Sequence, residues 1–189
     1  MQVSRGTRLV AGLAVAGMLA VSGCGSDKPE DQATAAPTST DVPLPTGFDG
    51  CNLPQSVIDA EQLKKGSEDN NWNSPGTARK WLGCSWIQSD GFAAGVAVTT
   101  ITGQQIRESP SSQWVIGTQS TIAGRAAITY WMPARNPAEN CNINVEMKGG
   151  GMEISITNPP SRRKSKDRNA CDIATSMAEK LAPTIAAGS

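Results

Sequence analysis

The chain contains no histidine, which removes the commonest general acid–base of enzymes and the commonest metal ligand. It also has no CxxC pair, so its cysteines lack the spacing of a zinc site. Carboxylates could still catalyse glycoside hydrolysis, but most of them lie in predicted linker, loop or exposed strand positions and no pair stands out. We therefore expect no metal, no other cofactor and no enzymatic activity.

Charge and aromatic side chains are also sparse. The formal net charge of the 189 residues is zero, and only 4% of them are aromatic. This charge balance offers no electrostatic case for a nucleic-acid partner. Five of the few aromatics are tryptophans. Trp81, Trp86 and Trp131 are expected in the core, whereas Trp72 lies in a polar stretch and is the best candidate for an exposed binding residue.

The N-terminus has the layout of an export signal. Arg5 and Arg8 precede an apolar run over residues 9–21, which is followed by Ser22-Gly23-Cys24. This ending resembles the lipobox of bacterial lipoproteins, which implies cleavage before Cys24 and attachment of diacylglycerol and palmitate-like acyl chains. The alternative is an uncleaved transmembrane anchor, but a span needs about 20 apolar residues. We predict a signal peptide over residues 1–23 and a lipid anchor on the outer face of the cell membrane.

Composition divides the remaining chain into a tether and a domain. Residues 24–47 are rich in Ala, Pro, Thr, Ser and Asp and have few large apolar side chains, which predicts a disordered tether. Its threonines and serines suit either an O-glycosylated stalk or a plain spacer. Residues 48–189 are expected to form the folded domain.

Four cysteines remain once Cys24 is assigned to lipidation, namely Cys51, Cys84, Cys141 and Cys171. An even number outside the cytoplasmic membrane indicates disulfides. Three pairings are possible and the sequence alone does not choose among them. We favour Cys51–Cys84 and Cys141–Cys171, because each bond would then join a terminal helix to a strand.

Hydrophobic periodicity predicts an α+β fold. Helical spacing occurs over residues 54–65 and 170–186, near the two ends of the domain. Period-two alternation predicts strands between them, at residues 81–88, 92–101, 114–131 (with a break at 123–125), 141–147 and 152–157. The last two form a hairpin with one apolar and one solvated face. This order implies a single antiparallel sheet packed by an N-terminal and a C-terminal helix.

A basic loop precedes the last helix. Its cationic residues are Arg162, Arg163, Lys164, Lys166 and Arg168. They could bind anionic lipid headgroups, an acidic cell-wall polymer or a partner protein. A solvated loop without a ligand is the simpler interpretation.

Several segments together carry a family resemblance. They are residues 48–54 (FDGCNLP), 83–86 (GCSW), 141–145 (CNINV) and 170–174 (ACDIA), behind the lipobox and linker. This arrangement resembles actinobacterial lipoproteins, of the mycobacterial LprB/LprC-like kind, that carry a domain of unknown function. The resemblance implies a cell-envelope location and the disulfides Cys51–Cys84 and Cys141–Cys171. It implies no catalytic residues.

Two functions remain open. The first is a non-enzymatic accessory or binding lipoprotein that recognises an envelope protein or a glycolipid. The second is a carrier of a lipid or other apolar ligand in a cavity between sheet and helices, which would need roughly 300 to 1,000 Å³.

Overall fold

The computed structural model of the protein describes residues 42–66 and 81–189. All strands in these ranges join one antiparallel sheet. In chain order they are β1 (Leu63–Lys65), β2 (Trp81–Gln88), β3 (Ala93–Thr99), β4 (Val115–Ile122), β5 (Arg125–Trp131), β6 (Asn140–Met147) and β7 (Gly150–Thr157). Their order across the sheet is β1-β2-β3-β7-β6-β5-β4. The helices are α1 (Gln55–Glu61), α2 (Gly103–Glu108) and α3 (Ala170–Leu181).

Short turns join the predicted hairpins. The break predicted within residues 114–131 is a two-residue turn at Ala123 and Gly124, both with positive φ (50° and 77°). Two positive φ values match a type I′ turn, whose twist suits the flanking strands. The predicted break is confirmed, and residues 114–131, expected to form one or two strands, contain the two strands β4 and β5, with Arg125 already in β5.

The N-terminal helix is shorter than predicted. The sequence predicts a helix over residues 54–65, but α1 ends at Glu61 because Gln62 adopts the left-handed conformation (φ 52°, ψ 46°). The following residues form β1, with Leu63 opposite Gln88 of β2. Helical spacing did not reveal this change, since one buried leucine fits a helix face and a short strand equally well.

The C-terminal helix begins as predicted and ends earlier. Asn169 caps it, with Oδ1 accepting a hydrogen bond from the Cys171 backbone N–H at 2.8 Å. The helix was expected to reach residue 186 unless Pro183 shortened or kinked it, and a short 3₁₀ turn containing Pro183 does follow Leu181. Helix α3 contacts β6 and β7. Its fully buried side chains include Ile173, Met177 and Leu181.

Each face of the sheet carries a buried apolar cluster. The main core lies on the α3 face. A smaller cluster on the opposite face contains Ile106 of α2 together with Ile128 and Tyr130 of β5. This cluster lies over the part of the face formed by β5 and β6, the two strands that α2 contacts.

One expectation about this second face is wrong. The polar face of the β6–β7 hairpin was predicted to be solvated, yet Asn144 and Glu153 are buried there. These residues are buried by tertiary packing. Helix α2 and the aromatic residues near it lie against a face of the hairpin that the alternation of the strands predicts to be polar.

The structure contains the disulfides Cys51–Cys84 and Cys141–Cys171, which are the pairs favoured from the sequence. The first joins the segment before α1 to β2. The second joins β6 to the first turn of α3.

The packed region extends into the predicted tether. Leu44 packs against the main core and Pro45 is buried, although the sequence places the end of the tether at residue 47. No helix among the described residues is sufficiently long and apolar to span a membrane.

Candidate functional site

A groove crosses the sheet face opposite α3, over β2, β3 and β7. It lies beside the half of this face that α2 contacts. Its volume is about 180 Å³. Its lining includes Trp81, Gly83, Gly95, Ala97, Glu153 and Ser155.

Small side chains make the floor of this groove. Gly83 lies opposite Ala97 in the β2–β3 ladder, and Gly95 lies opposite Ser155 in the β3–β7 ladder. Directly opposed residues project from the same face of a sheet. Gly95 and Ala97 are partly exposed and carry little or no side chain, so a ligand could lie close against β3.

Glu153 is the one acidic or basic residue among those described that line the groove. Its exposed fraction is 9%, and its carboxyl group accepts hydrogen bonds from the side chains of Tyr130 and Trp81. Among the described residues no partner reaches its Oε2, which is buried. Desolvation raises the pKa of Glu153 above its ordinary value, against the lowering effect of the two hydrogen bonds.

Asn144 is the direct neighbour of Glu153 across the β6–β7 ladder. Its Nδ2 donates to the Ile101 carbonyl oxygen at 3.1 Å, whereas its buried Oδ1 has no partner in the described part of the chain. Two acceptor oxygens on neighbouring residues thus lack a donor. Buried polar groups without partners are rare and costly in native proteins, and they mark this point as unusual.

Strand β7 supplies a row of polar groups along one side of the groove. Glu153, Ser155 and Thr157 project from the same face at two-residue intervals, about 7 Å apart. Trp81 stands at the Glu153 end, where it also packs against the smaller apolar cluster. The site therefore combines an indole, a small apolar floor and a line of hydrogen-bonding side chains.

This arrangement suits binding. No second carboxyl group lines the groove among the described residues, so Glu153 has no partner for two-carboxylate catalysis. Within residues 42–66 and 81–189, no group of acidic or cysteine side chains could hold a metal ion.

A family described as "Protein of unknown function (DUF3558)" matches residues 19–184, which is most of the chain. The protein belongs to the DUF3558 family. No curated protein and no solved structure matches it. The family description assigns no activity, so the residues of this DUF3558 protein are interpreted from their own chemistry.

No residue of the predicted basic loop is among the described residues that line the groove, and three of its cations have partners in the domain. Arg163 pairs with Asp90 at 2.9 Å, and Lys164 donates to the Gln62 side chain. Arg168 pairs with Glu61 at 3.3 Å, and its guanidinium carbon lies 5.6 Å from the centre of the Phe92 ring. These contacts hold the loop against the domain. All five cations remain exposed.

Asn158 of the DUF3558 domain organises the same loop from within. Its Nδ2 donates to the carbonyl oxygens of Ser165 (2.8 Å) and Arg168 (2.7 Å), and its Oδ1 accepts from the Ser165 hydroxyl (2.6 Å). Both Asn158 and Ser165 are buried. The loop is therefore held in one conformation by buried hydrogen bonds.

Other predicted site residues have different outcomes. Cys24 and Trp72 lie outside the described residues. Trp86 is buried, with Nε1 donating to the Gly50 carbonyl oxygen at 2.9 Å, and Trp131 packs partly buried against the main core. Trp81 was expected in the core but lines the groove while contacting the smaller cluster.

Glu153 was not identified from the sequence. In the strand predicted over residues 152–157, Glu153 occupies a polar position of a regular alternation, and such positions are ordinarily solvated. Its burial depends on Trp81 and Tyr130, which come from strands distant in sequence. No local pattern carries that information.

Proposed function

We propose that this protein is an exported envelope lipoprotein, anchored through acyl chains on Cys24 to the outer face of the cell membrane, that binds a partner non-enzymatically. The ligand would be an envelope protein or a glycolipid, recognised in the groove beside Glu153. Within the DUF3558 family, we place it with the actinobacterial LprB/LprC-like lipoproteins.

The observation that carries the binding role is the groove with its buried, incompletely paired carboxyl group. A purely structural sheet face gains nothing from a desolvated acid next to a solvent-accessible groove, because the acid reduces the stability of the fold. Sites that sacrifice stability are commonly functional. The location is supported by the sequence, in which Arg5, Arg8 and an apolar run precede the Ser22-Gly23-Cys24 motif.

The geometry gives less support to a carrier. The residues between the sheet and α3 are almost fully buried, so the main core is well filled. The groove is open and its volume of about 180 Å³ is small beside the roughly 300 Å³ at which typical ligand cavities begin.

Membrane fractionation tests the anchor. In the native host, the wild-type protein should sediment with membranes, whereas Cys24→Ala should lose its acyl chains and leave the membrane fraction. A Cys24→Ala protein that stays in the membrane fraction would contradict the lipid anchor and favour an uncleaved helix.

Native mass spectrometry tests the binding role. Wild-type protein extracted from its own envelope should carry a bound glycolipid or protein, and Gly95→Val, which fills the groove, should not. If the wild-type protein is consistently ligand-free, or if both proteins carry the same species, the groove is not the binding site.

A further inference from the structure

We propose that the groove binds the sugar portion of its ligand, with a pyranose or furanose ring on the Gly83–Ala97–Gly95 floor and its hydroxyl groups directed at Glu153 and the β7 row. This inference rests on the proposed binding function and names the ligand chemistry of that site. Free glycans and glycolipid headgroups share this chemistry.

The polar row matches a polyhydroxylated ligand. Glu153, Ser155 and Thr157 present hydrogen-bonding groups at regular intervals along one side of the groove. A sugar carries donors and acceptors around its ring, so it can satisfy several of these groups together. A purely apolar ligand would bury these groups without hydrogen-bond partners, which is unfavourable.

The end of the groove at Glu153 suits a ligand hydroxyl group that donates a hydrogen bond. Glu153 lines this end of the groove, and its buried Oε2 lacks a donor among the described residues. A ligand hydroxyl at this end supplies one. Trp81 lies at the same end, and an indole offers a broad apolar face to the C–H side of a sugar ring.

The floor matches a flat ring. Gly95 and Ala97 lie next to each other on the β3 face, and Gly83 lies opposite Ala97 on β2. A larger side chain at Gly95 would project from the surface that the ring must approach, because an added Cβ there meets nothing nearer than 3.7 Å. The groove volume of about 180 Å³ suits one sugar ring and not a whole lipid.

The test uses full-length, lipidated protein in a detergent without a sugar headgroup, applied to an array of neutral oligosaccharides. The strongest binder is then titrated by calorimetry, both as a soluble glycan and as a glycolipid in phosphatidylcholine vesicles. We expect saturable binding to at least one neutral glycan. Binding in both forms identifies a glycan site, whereas binding only on vesicles identifies a glycolipid headgroup site.

Gly95→Val is the blocking variant. A Cβ at Gly95 would meet nothing nearer than the Ser155 Cβ at 3.7 Å, which is ordinary van der Waals contact, and valine favours strands. The variant should therefore fold with an unchanged or higher melting temperature and lose glycan binding. Ala126→Val is the matched control, since Ala126 is an exposed strand residue outside the groove lining, and it should bind like the wild type.

Glu153→Gln tests the polar end of the groove. It should weaken glycan binding by about tenfold or more, because an amide nitrogen replaces one of the two carboxyl oxygens that can accept from a ligand hydroxyl.

Any of four outcomes would overturn the sugar assignment. One is a folded wild-type protein that retains no neutral glycan. Another is unchanged glycan affinity in Gly95→Val. If the protein instead binds alkylammonium ions, Glu153 serves as a counter-ion and the sugar assignment is wrong. A co-purifying protein partner without glycan binding would also reject it, yet leave the proposed envelope-binding function intact.

Discussion

The pKa values of two buried glutamates are shifted in opposite directions. The pKa of Glu153 is raised because burial outweighs its two hydrogen bonds. Burial also acts on Glu61, but hydrogen bonds and charge from Lys180 and Arg168 outweigh it and lower the pKa of that carboxyl group. The two shifts differ in direction because Glu61 has two cationic neighbours, whereas no positively charged group among the described residues acts on Glu153.

Glu153→Gln should stabilise the protein at neutral and alkaline pH. A raised pKa means that the folded state binds more protons than the unfolded state, so the free energy of unfolding falls as pH rises from the unfolded pKa to the folded one. The glutamine removes that loss, and we expect a gain of about 1–3 kcal/mol at pH 8 that shrinks towards pH 4. Urea unfolding at both pH values measures it.

Glu61→Gln provides the control with the opposite sign. Its lowered pKa stabilises the fold above the unfolded carboxyl value, and this contribution is lost as pH falls through the folded value. The variant should therefore be less stable than the wild type at pH 8, and the difference should narrow in acid. Equal pH dependence of the two variants would contradict the assigned environments of these carboxyl groups.

At the scale of elements, the loop over residues 161–168 depends on one amide. Asn158→Ala removes three hydrogen bonds to this loop and leaves the buried Ser165 hydroxyl without its acceptor. We expect a loss of about 2–3 kcal/mol in unfolding free energy and faster amide exchange within residues 161–168. Hydrogen–deuterium exchange measures the second effect.

The matched control for this loop is Arg163→Ala. Its ion pair with Asp90 is exposed, and such pairs contribute about 0–1 kcal/mol. If Arg163→Ala loosens the loop as much as Asn158→Ala does, surface charge and not the buried amide holds it in place.

At the scale of the whole molecule, two cross-links support a domain that has few aromatic residues. The bonds Cys51–Cys84 and Cys141–Cys171 span 33 and 30 residues. In the loop-entropy model, each contributes about 3–4 kcal/mol. A Cys141→Ser/Cys171→Ser double variant should therefore melt well below the wild type, and non-reducing peptide mapping of the wild type should recover both bridges. Recovery of another pairing would contradict the structure.

Local patterns predicted most of the elements. Period-two alternation located the strands from Trp81 onward, and helical spacing located the start of α3, because these signals depend on neighbours in sequence. The same patterns missed β1, since Leu63–Lys65 becomes a strand only through its pairing with β2. One disulfide pairing could be favoured over the others, but the chain alone did not decide it, because four cysteines allow three pairings.

The sequence by itself determined the α+β class, the order of most elements and the absence of histidine chemistry, because composition and periodicity are properties of the chain. Only the tertiary structure decided where the candidate site lies. It brings Tyr130 and Trp81 to Glu153 and leaves an uncovered floor beside them. A polar residue at a solvent-facing strand position became a buried acid because burial depends on what other segments place above it, and alternation along one strand does not record that.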